Sequence, residues 1–200
     1  MAESDRERWD RKYAAGEGPT HFEPKPFLTE HCHLLSSGRA LDVACGFGGT
    51  ALYLASLGYR VDAVDVSSFG LARAQAEATR RSLQVNFAQV DLARWSVPSS
   101  RYDLIAVFNY LNRGLMPRLV AGLRSGGLLF QTARNLRYLS IRPDFDPAYL
   151  LELGELAHFA ARSGLEILHC LDGTPAEAHA SQLIARRPTT QERHSASARA

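Results

Sequence analysis

The chain has 200 residues, of which 46% are hydrophobic and 22% are charged, and its formal net charge is +2 at pH 7. This composition suits one globular domain with a full core, and the weak charge argues against a polyanion as the dominant partner. We expect a soluble cytoplasmic protein, because no apolar run reaches the ~20 residues of a membrane span, the charged N-terminus is not a secretory signal, and the scattered cysteines form no disulfide framework.

The N-terminal part is predicted to form two short helices. Trp9 and Tyr13 stand four residues apart on a helix over 5–13 and so share one face. A proline- and glycine-broken loop follows, and the second helix is predicted over 26–36. On that helix the two histidines of His31-Cys32-His33 would point roughly 200° apart, so we expect no metal site.

The stretch from Arg39 to Ala51 predicts a nucleotide-binding loop. A short apolar strand over 39–44 ends in a turn that contains Gly46, Gly48 and Gly49, and the turn opens into a helix ending near Gly58. Glycines at such a turn permit positive φ and let a ligand lie against bare backbone, and the helix N-terminus offers unpaired N–H groups.

Two ligands fit this spacing. Gly46-x-Gly48-x-x-Ala51 satisfies the dinucleotide fingerprint, with Asp65 at a suitable distance for a ribose hydroxyl. Asp42-x-Ala44-x-Gly46-x-Gly48 equally fits the S-adenosylmethionine loop of class I methyltransferases. Asp42 favours the second interpretation, because a carboxylate there would repel a pyrophosphate but suits the ammonium group of S-adenosylmethionine.

Two further predicted strands end in acids. Tyr59–Val66 is a buried strand whose Asp65 lies at the carboxyl edge, where open α/β sheets bind ligands, and Ser67 is a suitable N-cap for a helix over 71–81. The next strand, over 85–91, ends at Asp91. A carboxylate at position 65 can accept both ribose hydroxyls of an adenosine.

The rest of the chain continues the alternation of strands and helices. A long segment over 135–151 interrupts it, and segments of this kind are usually functional or disordered. The remaining predicted elements are strands over 102–109, 128–134, 165–170 and 181–185 and helices over 114–124 and 151–163.

This order predicts an α/β fold: a doubly wound, Rossmann-like, seven-stranded and mostly parallel sheet with an antiparallel last strand, in a three-layer αβα sandwich. We expect an N-terminal helical lid or extension over 1–38, a cofactor-binding domain over 39–187 and a disordered tail over 188–200.

Several motifs together resemble a class I S-adenosylmethionine-dependent methyltransferase. The looser resemblance is to the tellurite-resistance and thiopurine methyltransferase-like branch. The family more often has glycine at the position of Ala44, where alanine fits if its φ is negative. The class-level motifs are Leu41-Asp-Val-Ala-Cys-Gly-Phe-Gly, Asp65, Asp91-Leu92, Tyr102-Asp-Leu and Ser125-Gly-Gly, and the branch-level motifs are Trp9-Asp-x-x-Tyr13-x-x-Gly16-Glu17, Tyr110-Leu-x-Arg113 and Tyr149-Leu-Leu-x-x-Gly154-Glu-Leu156.

The resemblance implies S-adenosyl-L-methionine as cofactor and S-adenosyl-L-homocysteine as product. It implies that Asp91 accepts from the adenine amine, that Leu92 packs on the ring, and that Trp9 and Tyr13 close over the site as a lid or anchor the first helix. The full predicted cofactor-binding set is Trp9, Tyr13, Asp42, Ala44, Gly46, Gly48, Asp65, Val66, Asp91, Leu92 and Asn109.

The methyl acceptor is predicted to be a small molecule, since no basic stripe or added RNA module is visible. Alternatives are an RNA or protein methyltransferase, a nicotinamide-nucleotide-binding Rossmann protein, and a cofactor-binding protein without methyl transfer. We expect a monomer or homodimer and no membrane partner. The acceptor-side candidates are Tyr13, Asn109, Tyr110, Arg113, Arg134 and Arg137, whose arginines could hold an anionic substrate or only solvate a helix start and a loop.

Overall fold

Strands and helices alternate through most of the chain. The structure is a computed structural model that describes residues 4–18, 21–173 and 178–189. The strands are β1 (Arg39–Val43), β2 (Arg60–Asp65), β3 (Val85–Gln89), β4 (Tyr102–Phe108), β5 (Leu123–Arg134), β6 (Glu166–Asp172) and β7 (Ala180–Arg186). The α-helices are α1 (Asp5–Ala14), α2 (Pro26–Glu30), α3 (Gly49–Ser56), α4 (Ser68–Arg80), α5 (Met116–Gly122) and α6 (Glu155–Arg162).

The strands form a seven-stranded sheet in the order β3-β2-β1-β4-β5-β7-β6. β1, β2 and β3 pair in parallel, β4 and β5 pair in parallel, and β7 runs antiparallel to both β5 and β6. The predicted fold class, including the antiparallel last strand, is therefore confirmed.

The chain divides between Ser96 and Val97 into two compact units. The first contains α1 to α4 and β1 to β3, and the second contains the remaining elements. The predicted boundary at residue 38 stays a prediction, and the predicted disordered tail lies outside the described residues from position 190 onward.

The burial of the strands explains their sequences. β1 and β2 are buried except at their first residues, and β4 is buried except at its second, so they read as nearly continuous apolar runs. Such runs are typical of parallel strands that are covered on both faces. None of the helices in the described ranges has both the length and the apolar character that crossing a membrane requires.

Three element boundaries differ from prediction by four residues or more. The second helix ends at Glu30 and is followed by a 3₁₀ turn over Cys32–Leu34, so the helical separation of the two histidines does not apply and their ring centroids lie 6.1 Å apart. β5 begins at Leu123 rather than 128, because the strand continues through Gly126 at φ +79° with a register irregularity. α6 begins at Glu155 rather than 151, after its N-cap residue Gly154, which has a φ of +83°.

The segment after β5 is ordered and closed at its base. Asn135 bridges Leu151, whose N–H donates to the carbonyl of Arg134 at 2.9 Å. Between these points the chain forms 3₁₀ turns over Leu136–Ser140 and Pro147–Tyr149. The second unit thus presents this segment as a compact loop with fixed ends.

Candidate functional site

Three residues of the turn after β1 have a positive backbone φ. Ala44 has a φ of +54°, Gly46 a φ of +54° and Gly48 a φ of +75°. The condition under which alanine fits well at position 44, a negative φ, is therefore not met. An L-residue in this region is strained, which gives the physical reason why glycine is preferred at this position. Gly48 caps α3 without a side-chain hydrogen bond.

Asp42 lies beneath this turn and is only 3% exposed. Its Oδ2 accepts a hydrogen bond from the backbone N–H of Ala51 in the first turn of α3 at 3.0 Å. Burial, with a smaller contribution from the charge of Asp65, raises the pKa of Asp42 to about 8, although the Ala51 N–H and Lys25 act in the opposite direction. Within the described chain its second oxygen has no hydrogen-bond donor.

Asp65, the last residue of β2, joins the turn to α4. Its two carboxylate oxygens accept from the backbone N–H groups of Gly46 and Ser67, each at 2.8 Å. Burial raises the pKa of this carboxyl despite those hydrogen bonds, and the nearby Asp10 adds to the shift. A carboxylate has about four acceptor positions, so Asp65 retains capacity for ligand hydroxyl groups.

The N-terminal segment lies against the bare backbone of the glycine turn. A Cβ added at Gly46 would lie 3.0 Å from the Tyr13 Oη, and one added at Gly49 would lie 2.2 Å from the carbonyl oxygen of Glu23. Gly70 in α4 faces the same Tyr13 ring, with a Cβ position 3.0 Å from its Cε2. The glycines therefore allow the protein's own N-terminal segment to approach the backbone closely. The sequence had predicted that a ligand would lie there.

An aromatic cluster extends this contact. The Tyr13 ring lies 5.5 Å from the Trp9 ring on α1 and 4.9 Å from the Phe47 ring in the glycine turn. Phe47 is buried, whereas Tyr13 and Trp9 are half-buried. The predicted shared face of Trp9 and Tyr13 is confirmed by the first distance.

Asp10 fastens α1 to the start of α4, a contact that sequence reasoning missed. Its carboxylate accepts from the Ser67 and Ser68 hydroxyls and from the Phe69 N–H at 3.1 Å. Burial opposes ionisation of Asp10, but these hydrogen bonds and Arg6 outweigh it and lower the pKa. Because the partners are more than fifty residues apart in sequence, no local pattern indicates the contact.

The other predicted cofactor contacts of the first unit lie at the ends of β2 and β3. Asp91 comes two residues after β3, is exposed, and accepts from the Ala93 N–H at 3.0 Å. Leu92 beside it is only 5% exposed. Val66 is half-buried and accepts a hydrogen bond from the Gln89 side chain at its carbonyl.

In the second unit, the candidates after β4 differ in how they are held. Asn109 directly follows the strand, has a φ of +56° and is exposed, and Tyr110 is half-buried. Asparagine tolerates this left-handed conformation better than most residues. The Arg113 guanidinium forms a bidentate ion pair with Glu155 at 2.6 and 2.8 Å. It also donates hydrogen bonds to the carbonyls of Ala148 and Leu150.

The two candidates after β5 also differ. Arg137 donates to the backbone carbonyl of Asp172 at 2.6 Å and so helps to fix the segment that follows β5. Arg134 has its guanidinium carbon 4.0 Å from the centroid of the Tyr138 ring. Among the side chains that the structure describes, it has no ion-pair or hydrogen-bond partner.

The residues of the first unit fit an S-adenosylmethionine-type ligand. Two buried carboxylates, Asp42 and Asp65, lie at the glycine turn, and a bound cation would stabilise their charged forms. A pyrophosphate would instead raise their pKa values further. The described residues contain no group of three or more His, Cys, Asp or Glu side chains that could hold a metal ion.

Part of the chain is similar to known methyltransferases. Residues 40–127 match the methyltransferase domain family. The chain is 29% identical over 100 residues to a probable S-adenosyl-L-methionine-dependent methyltransferase, TehB, of Haemophilus influenzae, and 36% identical over 100 residues to a putative methyltransferase of Geobacillus. The matches cover 48% and 46% of this chain but only 35% and 40% of those relatives' lengths.

Solved structures show the same fold. One is a phosphoethanolamine N-methyltransferase of Haemonchus contortus in complex with S-adenosyl-L-methionine, with a TM-score of 0.75 at 18% identity. The match covers 94% of this chain and 61% of that protein's chain. Another is a protein of echinomycin biosynthesis associated with conversion of a disulfide bond into a thioacetal group. It has a TM-score of 0.73 at 22% identity, and the match covers 98% of this chain and 97% of that protein's chain. The [4+2]-cyclase SpnF has a TM-score of 0.64 at 22% identity, and the match covers 78% of this chain and 77% of that protein's chain.

Proposed function

We propose that this chain, whose residues 40–127 match a methyltransferase domain family, is a class I enzyme that transfers a methyl group from S-adenosyl-L-methionine to a small-molecule acceptor. The observation that carries the proposal is the pair of buried carboxylates, Asp42 and Asp65, at the glycine turn. A cation bound beside these buried carboxyls would favour their charged forms, and this cofactor carries an ammonium and a sulfonium group. The dinucleotide alternative would place a pyrophosphate beside them.

We assign the cofactor contacts residue by residue. Asp42 would hold the ammonium group, Asp65 the ribose hydroxyls and Asp91 the adenine amine, with Leu92 against the ring. The remaining members of the proposed set would contribute backbone or covering contacts, and they are Trp9, Tyr13, Ala44, Gly46, Gly48, Val66 and Asn109.

When bound, the cofactor supplies an electrophilic methyl group on its sulfonium. The chain's own contribution is positioning and the exclusion of water, which account for most of the acceleration in such transfers. Tyr13 suits this role because its half-buried ring contacts the glycine turn. Burial, with the charges of Asp65 and Cys45, raises the pKa of Tyr13, so the phenol stays neutral and can donate a hydrogen bond at physiological pH.

On the acceptor side we propose Tyr13, Asn109, Tyr110 and Arg134. Arg113 and Arg137 already donate to Glu155, Ala148, Leu150 and Asp172, which supports a structural role for both. We also propose a cytoplasmic location, which the absence of a disulfide framework in the sequence supports.

A second candidate is a reaction other than methyl transfer on the same fold. SpnF, a structural neighbour, is a [4+2]-cyclase, and fold alone does not determine chemistry. RNA or protein acceptors are a further alternative within methyl transfer.

The test is transfer of isotopically labelled methyl from S-adenosyl-L-methionine, with the purified chain and fractions of small molecules, RNA and protein. We expect label in the small-molecule fraction together with release of S-adenosyl-L-homocysteine. An Asp42→Asn variant should lose both signals in parallel. Label confined to RNA or protein would overturn the acceptor class. Cofactor binding without transfer to any fraction would favour the second candidate.

A further inference from the structure

Arg134 is a cation on the surface of the second unit that has no ion-pair partner in the part of the chain that the structure describes. It is the last residue of β5 and is exposed. Within the described ranges its guanidinium forms no ion pair or hydrogen bond. By contrast, Arg113 pairs with Glu155 and Arg142 pairs with Asp144.

Two aromatic rings hold this guanidinium in place. Its central carbon lies 4.0 Å from the centroid of the Tyr138 ring and 5.6 Å from that of Phe145. The two rings are themselves 5.2 Å apart and nearly perpendicular, at 88°. Stacking on an aromatic face orients an arginine while its N–H groups remain free to form bidentate hydrogen bonds.

The segment that carries the rings is fixed at both ends. Asn135, which is fully buried, bridges Leu151 and donates to the Ser181 hydroxyl at 3.3 Å. The Ser181 hydroxyl in turn donates to the Asp172 carboxylate at 2.6 Å. These contacts and those of Arg113 anchor Tyr138 and Phe145 to the sheet, so little ordering is needed when a ligand binds.

Asp144 and Asp172 bind partners other than Arg134. Asp144 is the acidic partner of Arg142 at 3.2 Å, so that pair is close to neutral. The Asp172 carboxylate accepts hydrogen bonds from the Ser181 hydroxyl and the Gly154 N–H, and the Asp172 carbonyl accepts one from Arg137. Among the described residues, Arg134 therefore presents a guanidinium without a direct ion-pair partner beside half-buried aromatic surface.

We propose that Arg134, framed by Tyr138 and Phe145, binds an oxyanion group of the methyl acceptor, so that the acceptor is an organic carboxylate or phosphate with a planar apolar body. The identification of the bound anion as the methyl acceptor rests on the proposed function. The anion site itself does not depend on it. The carboxyl end of β5 is a position where α/β sheets bind ligands. A guanidinium matches carboxylate and phosphate geometry with two parallel hydrogen bonds.

The experiment is titration of the purified chain with benzoate and phenyl phosphate, with neutral benzyl alcohol as reference, followed by NMR or calorimetry. Wild-type protein should bind at least one of the anions and bind benzyl alcohol roughly tenfold more weakly or not at all. Arg134→Gln should lose this preference for the anion, and Arg134→Lys should retain part of it. The matched control is Arg142→Gln, which removes an already paired arginine from the same segment and should bind the anions like wild type.

Preference for phenyl phosphate or for benzoate decides between the two anion sources. The proposal is overturned if Arg134→Gln binds the anions as wild type does, or if benzyl alcohol competes equally. S-adenosyl-L-homocysteine binding, measured on the same samples, separates this result from the proposed function: it should be unchanged in Arg134→Gln. Its absence from wild type would defeat the proposed function while the anion titration still decides the role of Arg134.

Discussion

The Tyr13 hydroxyl lies directly over Gly46, so close that a Cβ at position 46 would be 3.0 Å from the Tyr13 Oη. This contact joins the first helix to the turn in which the cofactor is proposed to bind. The side chain of Tyr13 thus occupies the face of the turn that glycine leaves open. Any ligand at this turn must share that face with the ring or displace it.

Replacing Gly46 with alanine should destabilise the protein by about 1 kcal/mol from the left-handed backbone and by about 1 kcal/mol more from the contact with Tyr13. Gly58→Ala is the matched control, because Gly58 also has a positive φ, of +87°, but nothing lies within 4 Å of its Cβ position. Urea unfolding of the two variants measures the difference. Equal losses would contradict the contact.

Tyr13→Phe provides the second arm of this test. Removing the hydroxyl should relieve the clash, so Gly46→Ala should cost about as much as Gly58→Ala in the Tyr13→Phe background. A double-mutant cycle from the same unfolding curves gives the coupling free energy directly. A coupling near zero would mean that the alanine is accommodated without involving Tyr13.

Replacing Ala44 with glycine should stabilise the protein by up to about 1 kcal/mol. Relief of the strain at φ +54° outweighs the entropy that a glycine adds to the unfolded chain. Ala63→Gly in β2 is the control, since Ala63 is fully buried in regular strand and should lose stability on the same change. Thermal unfolding that shows both variants destabilised alike would contradict the strain at Ala44.

Asp10→Asn should lower the free energy of unfolding by about 1 kcal/mol, comparable to the loss of a helix cap, and increase hydrogen exchange in α1. Because the folded-state pKa of Asp10 is lowered, its contribution is present above the unfolded-state pKa near 4 and is lost as the pH falls through the folded value. Asp5→Asn is the control on the same helix, because Asp5 pairs with Arg8 of that helix. Equal effects of the two changes at neutral pH would argue against the α4 contact.

The stability of the free protein should fall as the pH rises from about 4 towards 8. The pKa of Asp42 is raised to about 8 from a model-compound value of 3.8, so the folded state holds a proton that unfolding releases over this window. The slope for one proton is at most about 1.4 kcal/mol per pH unit. Asp42→Asn should flatten the dependence in urea unfolding measured at several pH values. An unchanged pH profile would contradict the burial of an ionisable Asp42.

The sequence predicts the fold well because the information is local. The apolar runs of β1, β2 and β4 and the N-cap Ser67 each indicate their own element, and the order of elements then dictates a doubly wound sheet. The predicted fold class is confirmed by the strand order, and residues 40–127 match a methyltransferase domain family. Element ends were less predictable, as at β5, where pairing with β4 extends the strand through Gly126.

The site was only partly predictable because its contacts are long-range. No local sequence pattern shows that Asp10 accepts a hydrogen bond from Ser67 or that the Glu23 backbone contacts Gly49. The same holds for the ion pair between Arg113 and Glu155. One available signal was Gly70, since a glycine inside a helix often marks close approach of another group, here Tyr13. The roles of the individual site residues stay predictions.

The central claim is that the glycine turn with Asp42 and Asp65 binds S-adenosylmethionine rather than a nicotinamide nucleotide. Calorimetric titration of the purified chain with S-adenosyl-L-homocysteine, NAD and NADP in parallel tests it most directly. We predict micromolar binding of S-adenosyl-L-homocysteine alone, weakened at least tenfold by Asp42→Asn and by Asp65→Ala. Binding of NAD or NADP instead, or binding of S-adenosyl-L-homocysteine that Asp42→Asn leaves unchanged, would contradict the assignment.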